Sequence, residues 1–258
     1  MDLASPSPAR LRAAKKRLIF ALDVASQKEA QEYVALLSEE IGLFKVGKQL
    51  FMHAGPEIVR SIHSAGGHVF LDLKFHDIPQ TVALAGIEAA RLGVAMFNVH
   101  ASGGLQMMQK TRTEVYKACR AERLRRPTIL GVTVLTSLST PDLKRTGVAA
   151  GAEKQALRLA KLAQEAGLNG IVTSPQEVAL LRRVCGPRLQ LVVPGVRPPD
   201  TAWDDQKRVL TPLQAMQSGA NYLVVGRPIR NAQDPRTATR EIVRQMAQGW
   251  PGSSHKNI

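Results

Sequence analysis

The segment FLDLKFHDIPQTV (residues 70–82) sets Asp72, Lys74 and Asp77 within six positions, directly after an apolar run. Burying charge is costly, so such a segment is either a solvated turn or the working part of a site. Acids and bases that alternate at short range can hold one another ionised in a partly buried pocket. Held there, an ammonium group can stabilise charge that develops on a substrate and then deliver a proton. Two more charges stand in similar settings: Asp23 follows LIFAL, and Lys45 lies within LFKVG. A second chemistry is suggested by VVPGVR, with Gly195 and Arg197, and by VVGRPI, with Gly226 and Arg227. Glycine lets a backbone come close to an anion, and arginine offers it a bidentate fork. The plain alternatives are a structural ion-pair network for the first group and a turn glycine beside a surface arginine for the second.

What must position these residues can be read from the alternation of patterns. Apolar, β-branched runs fall at 17–25, 43–47, 68–75, 96–101, 128–136, 170–174, 189–196 and 221–227. Between them the apolar spacing turns helical, as in SQKEAQEYVALLSEEI, where Ser26 is placed to cap, and IPQTVALAGIEAARLG, closed by Gly93. Eight strands interleaved with helices predict a parallel sheet, and the number of strands favours an α/β fold of the (β/α)8 TIM-barrel type over an open doubly wound sheet. The first strand is not followed by the G-x-G-x-x-G of a dinucleotide site. A single domain is expected over residues 17–248, after a basic extension at 1–16 expected to be disordered and before a polar tail at 249–258. Two connections, SLSTPDLKRTGVAAGAEKQ and RPPDTAWDDQKRVLTP, are long and polar, as lids and binding loops often are. In such a barrel Asp23, Lys45, Asp72 and Lys74 fall at the C-terminal rim of three adjacent strands. Asp72 and Lys74, two apart, are expected on one barrel-facing side. Gly195, Arg197, Gly226 and Arg227 follow the seventh and eighth strands, the usual phosphate site of this fold.

Composition removes several other classes. Of 258 residues 44% are hydrophobic, and no apolar run approaches the roughly 18 residues of a membrane span. The basic N-terminus lacks an apolar region of the kind a secretory signal needs. Cys119 and Cys185 are far apart without metal-ligand spacing, which points to free thiols in a reducing compartment, simplest as the cytoplasm. The net charge of +14 raises nucleic acid as a partner, but the basic residues are dispersed and aromatics make up only 4%. Neither a nucleic-acid nor a membrane partner is therefore expected. The six histidines, His76 and His100 near strand ends among them, lack metal spacing and read as structural or solvated.

Beyond these readings, LDLKFHDIPQTV resembles the D-x-K-x-x-D-I-P-x-T signature of the orotidine 5′-phosphate decarboxylase family. ALDVAS, FKVGKQLF, FNVHASGG, VTVLTS, VVPGVR, DDQKRV and VVGRPI follow in the family's order across about residues 17–245, and the long seventh loop is similar to the bacterial type. The resemblance implies conversion of orotidine 5′-monophosphate to UMP and CO2, the last step of de novo pyrimidine nucleotide synthesis, without metal or organic cofactor. It implies Lys74 as proton donor to C6, Asp72 against the departing carboxylate, and Lys45 with Asp77 completing the charge network. Asp23 and Lys45 would hold ribose hydroxyls, Thr136 the pyrimidine edge, and Gln206, Gly226 and Arg227 the phosphate, with Arg197 on a closing loop. Asp77 and Thr81 would enter the partner's site in a homodimer with shared active sites. The alternatives are a metal-dependent sugar-phosphate enzyme of the same barrel superfamily, which also carries D-x-K-x-x-D, and a basic nucleic-acid-binding barrel.

Overall fold

The computed structural model describes residues 5–198 and 210–250. Eight parallel strands close into a barrel in sequence order. They are β1 (Leu18–Ala21), β2 (Leu43–Gly47), β3 (Val69–Phe75) and β4 (Met96–His100). The second half comprises β5 (Thr128–Val132), β6 (Gly170–Val172), β7 (Gln190–Pro194) and β8 (Tyr222–Val225). All eight lie inside the runs marked out by sequence, and every one but β2 is shorter than its run. Ring closure is made by β8 against β1, with Leu18 opposite Leu223 and Phe20 opposite Val225.

The helices are α1 (Pro8–Lys15), α2 (Gln27–Leu37), α3 (Lys48–Ala54), α4 (Glu57–Ser64) and α5 (Pro79–Arg91). They continue with α6 (Leu105–Ala121), α7 (Thr140–Arg145), α8 (Ala152–Glu165) and α9 (Val178–Cys185). The last three are α10 (Pro212–Gln217), α11 (Arg227–Arg230) and α12 (Pro235–Gln248). Ser26 caps α2 as expected, its hydroxyl accepting from the Glu29 N–H at 3.2 Å. Gly93, just past α5, takes φ +75°, a left-handed turn that glycine adopts without penalty.

Alternation along the strands sorts the core into two layers. Ile19, Ala21, Leu43, Phe70, Met96, Leu130, Val192 and Val224 fill the barrel interior. Phe20, Phe44, Leu71, Phe97, Ile171, Leu191 and Leu223 face outward into the larger core beneath the helices. Each buried side chain of this size contributes about 1.5–3 kcal/mol. The inner layer also fixes which residues come next on the same face: Lys45 two after Leu43, Asp72 two after Phe70, and Asn98 two after Met96.

Two segments differ from expectation. The extension at 1–16 is not disordered throughout, because residues 8–15 form α1, capped by Ser7 and opened by Pro8. Ala14 is fully buried and Leu11 packs on the main core, seating α1 on α12. Two apolar residues at helical spacing were enough for docking, although the basic residues around them dominate the composition. The connection after β5 contains α7, opened by a Ser139/Asp142 capping box with Pro141 in its first turn, and is thus no bare loop. Of the tail at 249–258, Gly249 and Trp250 are described, and the Arg17 guanidinium lies 4.3 Å from the Trp250 ring centroid.

The docking of α1 is testable. Ala14→Asp places a carboxylate at a fully buried position, and it is expected to lower stability by about 1–3 kcal/mol, read as thermal midpoint. Catalytic turnover of the folded variant should be unchanged, since α1 contributes nothing to the rim described next. An unchanged midpoint would show that α1 is not held to α12.

Candidate active site

At the C-terminal ends of β1, β2 and β3 four charges form one chain. Lys45 Nζ lies 2.8 Å from Asp23 Oδ1 and 3.4 Å from Asp72 Oδ2, and Lys74 Nζ lies 2.7 Å from Asp72 Oδ1. Asp72 is only 12% exposed at its side chain, against 58% for Asp23, so the chain runs from solvent into the barrel. Dehydrating a carboxylate costs several kcal/mol, and one ion pair at about 3 Å in a dielectric near 20 returns about 5 kcal/mol. One partner would barely balance the cost. Asp72 has two ammonium partners and accepts in addition from Asn98 Nδ2 at 2.7 Å, which tips the balance toward a fixed carboxylate.

Strand β3 reaches this arrangement by breaking its own regularity. Leu71 pairs with Phe97 and Phe75 with Val99, so Asp72, Leu73 and Lys74 stand opposite the single residue Asn98. Lys74 has φ +53°, a left-handed conformation that costs a non-glycine residue of order 1–3 kcal/mol. Its N–H, removed from the regular ladder, donates to Asn98 Oδ1 at 2.8 Å. Simple alternation therefore accounts for Asp72 but not for Lys74, which shares the pocket because the strand bulges. Asn98, fully buried, escaped the sequence reading. The available signal was an amide at the inward register of MFNVH, between Met96 and His100, next to the strand bearing Asp72.

Around these charges lies a cavity of about 190 Å3. Lys45, Asp72 and Lys74 line it together with Thr136, and Val132, Val134, Val172 and Pro194 add an apolar wall that sequence did not single out. Gly47 lies against this pair: a Cβ there would touch Lys45 Nζ at 3.4 Å and Asp23 Oδ1 at 3.5 Å. Asp23 lies two residues past the end of β1, its carbonyl held by the Arg230 guanidinium. Gly226 is close by, since a Cβ on it would lie 3.8 Å from Asp23 Oδ2, and exposed Arg227 opens α11. Arg197 donates its N–H to the Leu210 carbonyl at 3.2 Å. Gln206 and the DDQKRV stretch lie outside the described residues. Asp77 and Thr81 stand apart from the chain of charges, both exposed, and Asp77 Oδ1 accepts from the Ile78 N–H at 2.6 Å.

Next to the charges, the His76 and His100 rings lie 5.2 Å apart. Burial, followed by the positive fields of His76, Lys74 and Lys48, pushes His100 from 6.5 down to about 4, against a smaller opposing pull from Asp72. The reading of His100 as a structural residue is consistent with this, because a neutral imidazole next to two lysines adds no third positive charge.

A closed (β/α)8 barrel with an ion-pair chain at its C-terminal rim defines an enzyme of the barrel class, with its working groups at strand ends. A family model described as the Orotidine 5'-phosphate decarboxylase / HUMPS family matches residues 16–242, and the chain belongs to that family. A protein of Syntrophotalea carbinolica named orotidine 5'-phosphate decarboxylase is 53% identical over 234 residues, covering 91% of this chain and 96% of that protein. One of the same name from Pelobacter propionicus is 49% identical over 238 residues, 92% of this chain and 98% of its own. The crystal structure of orotidine 5'-phosphate decarboxylase from Lactobacillus acidophilus matches with a TM-score of 0.78 at 34% identity, covering 89% of this chain and 98% of that one.

His100 gives a pH prediction with a definite sign. The unfolded chain takes up this proton near pH 6.5 and the folded chain only near 4. The stability that depends on neutral His100 is thus complete above 6.5 and is lost as pH falls toward 4. Thermal midpoints of wild type should fall more steeply across that window than those of His100→Asn; parallel curves would refute the assignment.

Proposed function

We propose that the rim charges perform the chemistry of the family, with each residue in the role set out below. The chain is a carboxy-lyase that converts orotidine 5′-monophosphate to UMP and CO2, the last step of de novo pyrimidine nucleotide synthesis. Breaking the bond from C6 to the carboxylate leaves an electron pair on a carbon with no carbonyl conjugated to accept it. Lys74 stabilises that charge and gives C6 a proton from Nζ, after which solvent restores the lysine. Asp72 faces the substrate carboxylate; at 4 Å and a dielectric near 20 the repulsion is about 4 kcal/mol before relaxation, and it vanishes as CO2 departs. The larger share of the rate comes from Lys74 acting on the transition state. The observation that carries this reading is Asp72 held between Lys45 and Lys74 in the barrel mouth, with all three lining the cavity.

Asp23 and Lys45 bind ribose hydroxyls and Thr136 the pyrimidine edge. Gln206, Gly226 and Arg227 bind the phosphate, with Arg197 joining them on closure. Phosphate binding, remote from C6, supplies energy to organise the charged site. The chemistry asks for no metal or organic cofactor. Asp77 and Thr81 serve the site of a second copy in a homodimer. Their exposure supports this, as do Met52, Ile78 and Leu84, large apolar residues exposed on α3, beside Asp77 and on α5. The enzyme works in the cytoplasm with neither nucleic acid nor membrane as partner. In support, both cysteines are free and buried.

Two experiments test these roles. With EDTA present, wild type should consume orotidine 5′-monophosphate, followed by absorbance, whereas Lys74→Ala loses at least about 10⁴-fold in turnover and still binds UMP. Near-wild-type turnover by Lys74→Ala would remove the proton-donor role. Lys74→Ala and Asp77→Ala chains, each inactive alone, should regain activity when co-expressed, because a mixed dimer holds one complete site. No recovery would remove the shared-site assignment.

A further inference from the structure

We infer that Asn98 is a positioning residue for the decarboxylation, setting the direction of the Asp72 carboxylate and the left-handed backbone of Lys74 through one buried amide. The inference rests on the proposed roles of those two residues. Asn98 is fully buried on β4, at the register where three residues of β3 oppose it alone. The orientation of its amide follows from its partners. Lys74 N–H can only donate, so the group it meets at 2.8 Å is Oδ1, which leaves Nδ2 to donate to Asp72 Oδ1 at 2.7 Å. Asp72 Oδ1 thus receives two donors, Asn98 Nδ2 and Lys74 Nζ, while Oδ2 is turned toward Lys45. The carboxylate cannot rotate without losing one of these, and its direction relative to a ligand in the cavity is thereby fixed. The same amide replaces the ladder partner that the bulge removes from Lys74. A single side chain therefore couples the position of the proton donor to that of the neighbouring acid, and it lines no part of the cavity itself.

A residue of this kind changes turnover more than ligand binding, since a displacement of about 1 Å at the reacting groups costs about 100-fold in rate. Asn98→Ala is expected to lose about that factor in kcat, with UMP affinity within about threefold of wild type and a folded far-UV spectrum. Asn98→Asp gives the sharper readout. Protonated, its carboxyl can still donate to Asp72 and accept from Lys74; ionised, it opposes Asp72 directly. Lys45 and Lys74 face the same carboxylate, and His100 and His76 lie nearby, so the absolute pH of the change is set by the whole cluster. Its direction is set by the pair: kcat of Asn98→Asp relative to wild type should rise as pH falls, while Asn98→Ala shows no such recovery. Two results would overturn the inference. One is Asn98→Ala with kcat within about twofold of wild type; the other is parallel loss of kcat and UMP affinity in both variants without recovery at low pH, the mark of a general packing role. Lys74→Ala serves as the control. An active Lys74→Ala would refute the underlying roles, whereas an inactive Lys74→Ala beside an active Asn98→Ala would refute only the role of Asn98.

Discussion

A carboxylate at position 72, almost withdrawn from water, has to be kept charged, and much of the upper barrel is arranged to meet that requirement. Lys45 and Lys74 approach it from two strands and Asn98 from a third. The barrel makes this possible because its inward register brings adjacent strands to one level: Leu43, Phe70 and Met96 form the apolar floor, and the residues two further on form the polar rim. Below that level the interior is filled with side chains and stabilises; above it the same alternation presents charge. The two tasks are separated by a single step of two residues along each strand.

The pairing also explains local costs that would otherwise look like faults. Lys74 occupies a left-handed conformation, β3 breaks register with β4, and a polar amide is buried on β4. Taken singly, each is unfavourable; together they satisfy one another, because the amide serves the N–H that the break releases and the carboxylate that the lysine neutralises. His100 fits the same logic from the opposite direction. It is kept neutral next to two lysines, so the net charge around Asp72 is set by ammonium groups that point at it.

Most of the fold was legible in the sequence because its signals are local and repeated. Eight β-branched runs, separated by helical spacing and caps such as Ser26 and Gly93, leave little choice but a closed parallel barrel. Asp72 and Lys45 could be placed in one cavity from their positions on the strands of such a barrel, whereas Thr136, four residues past β5 and lining the same cavity, was named only through the family resemblance. The convergence of Lys74 was expected, but its route was not: a bulge is a relation between two strands, and nothing in DLKFHD alone marks it. Asn98 was invisible for the same reason, its meaning depending on what lies across from it. Residues 8–15 were hidden by composition, since Leu11 and Ala14 are outnumbered by basic neighbours, and docking needs only those two. Asp77 and Thr81 lie exposed and apart from the chain of charges, and position in the sequence alone does not reveal that separation.

The tie between Arg230 and the Asp23 carbonyl, with β8 lying against β1, also joins the rim to the far end of the chain. All four charges of the rim lie on or just after β1, β2 and β3, yet the Asp23 carbonyl is held by a residue more than two hundred positions further along the chain. Until β8 is in place β1 has one unpaired edge, although Lys45, Asp72 and Lys74 can already meet across β2 and β3. A chain cut before β8 would therefore carry every charge of the rim while lacking the strand and the arginine that tie the Asp23 end into the ring.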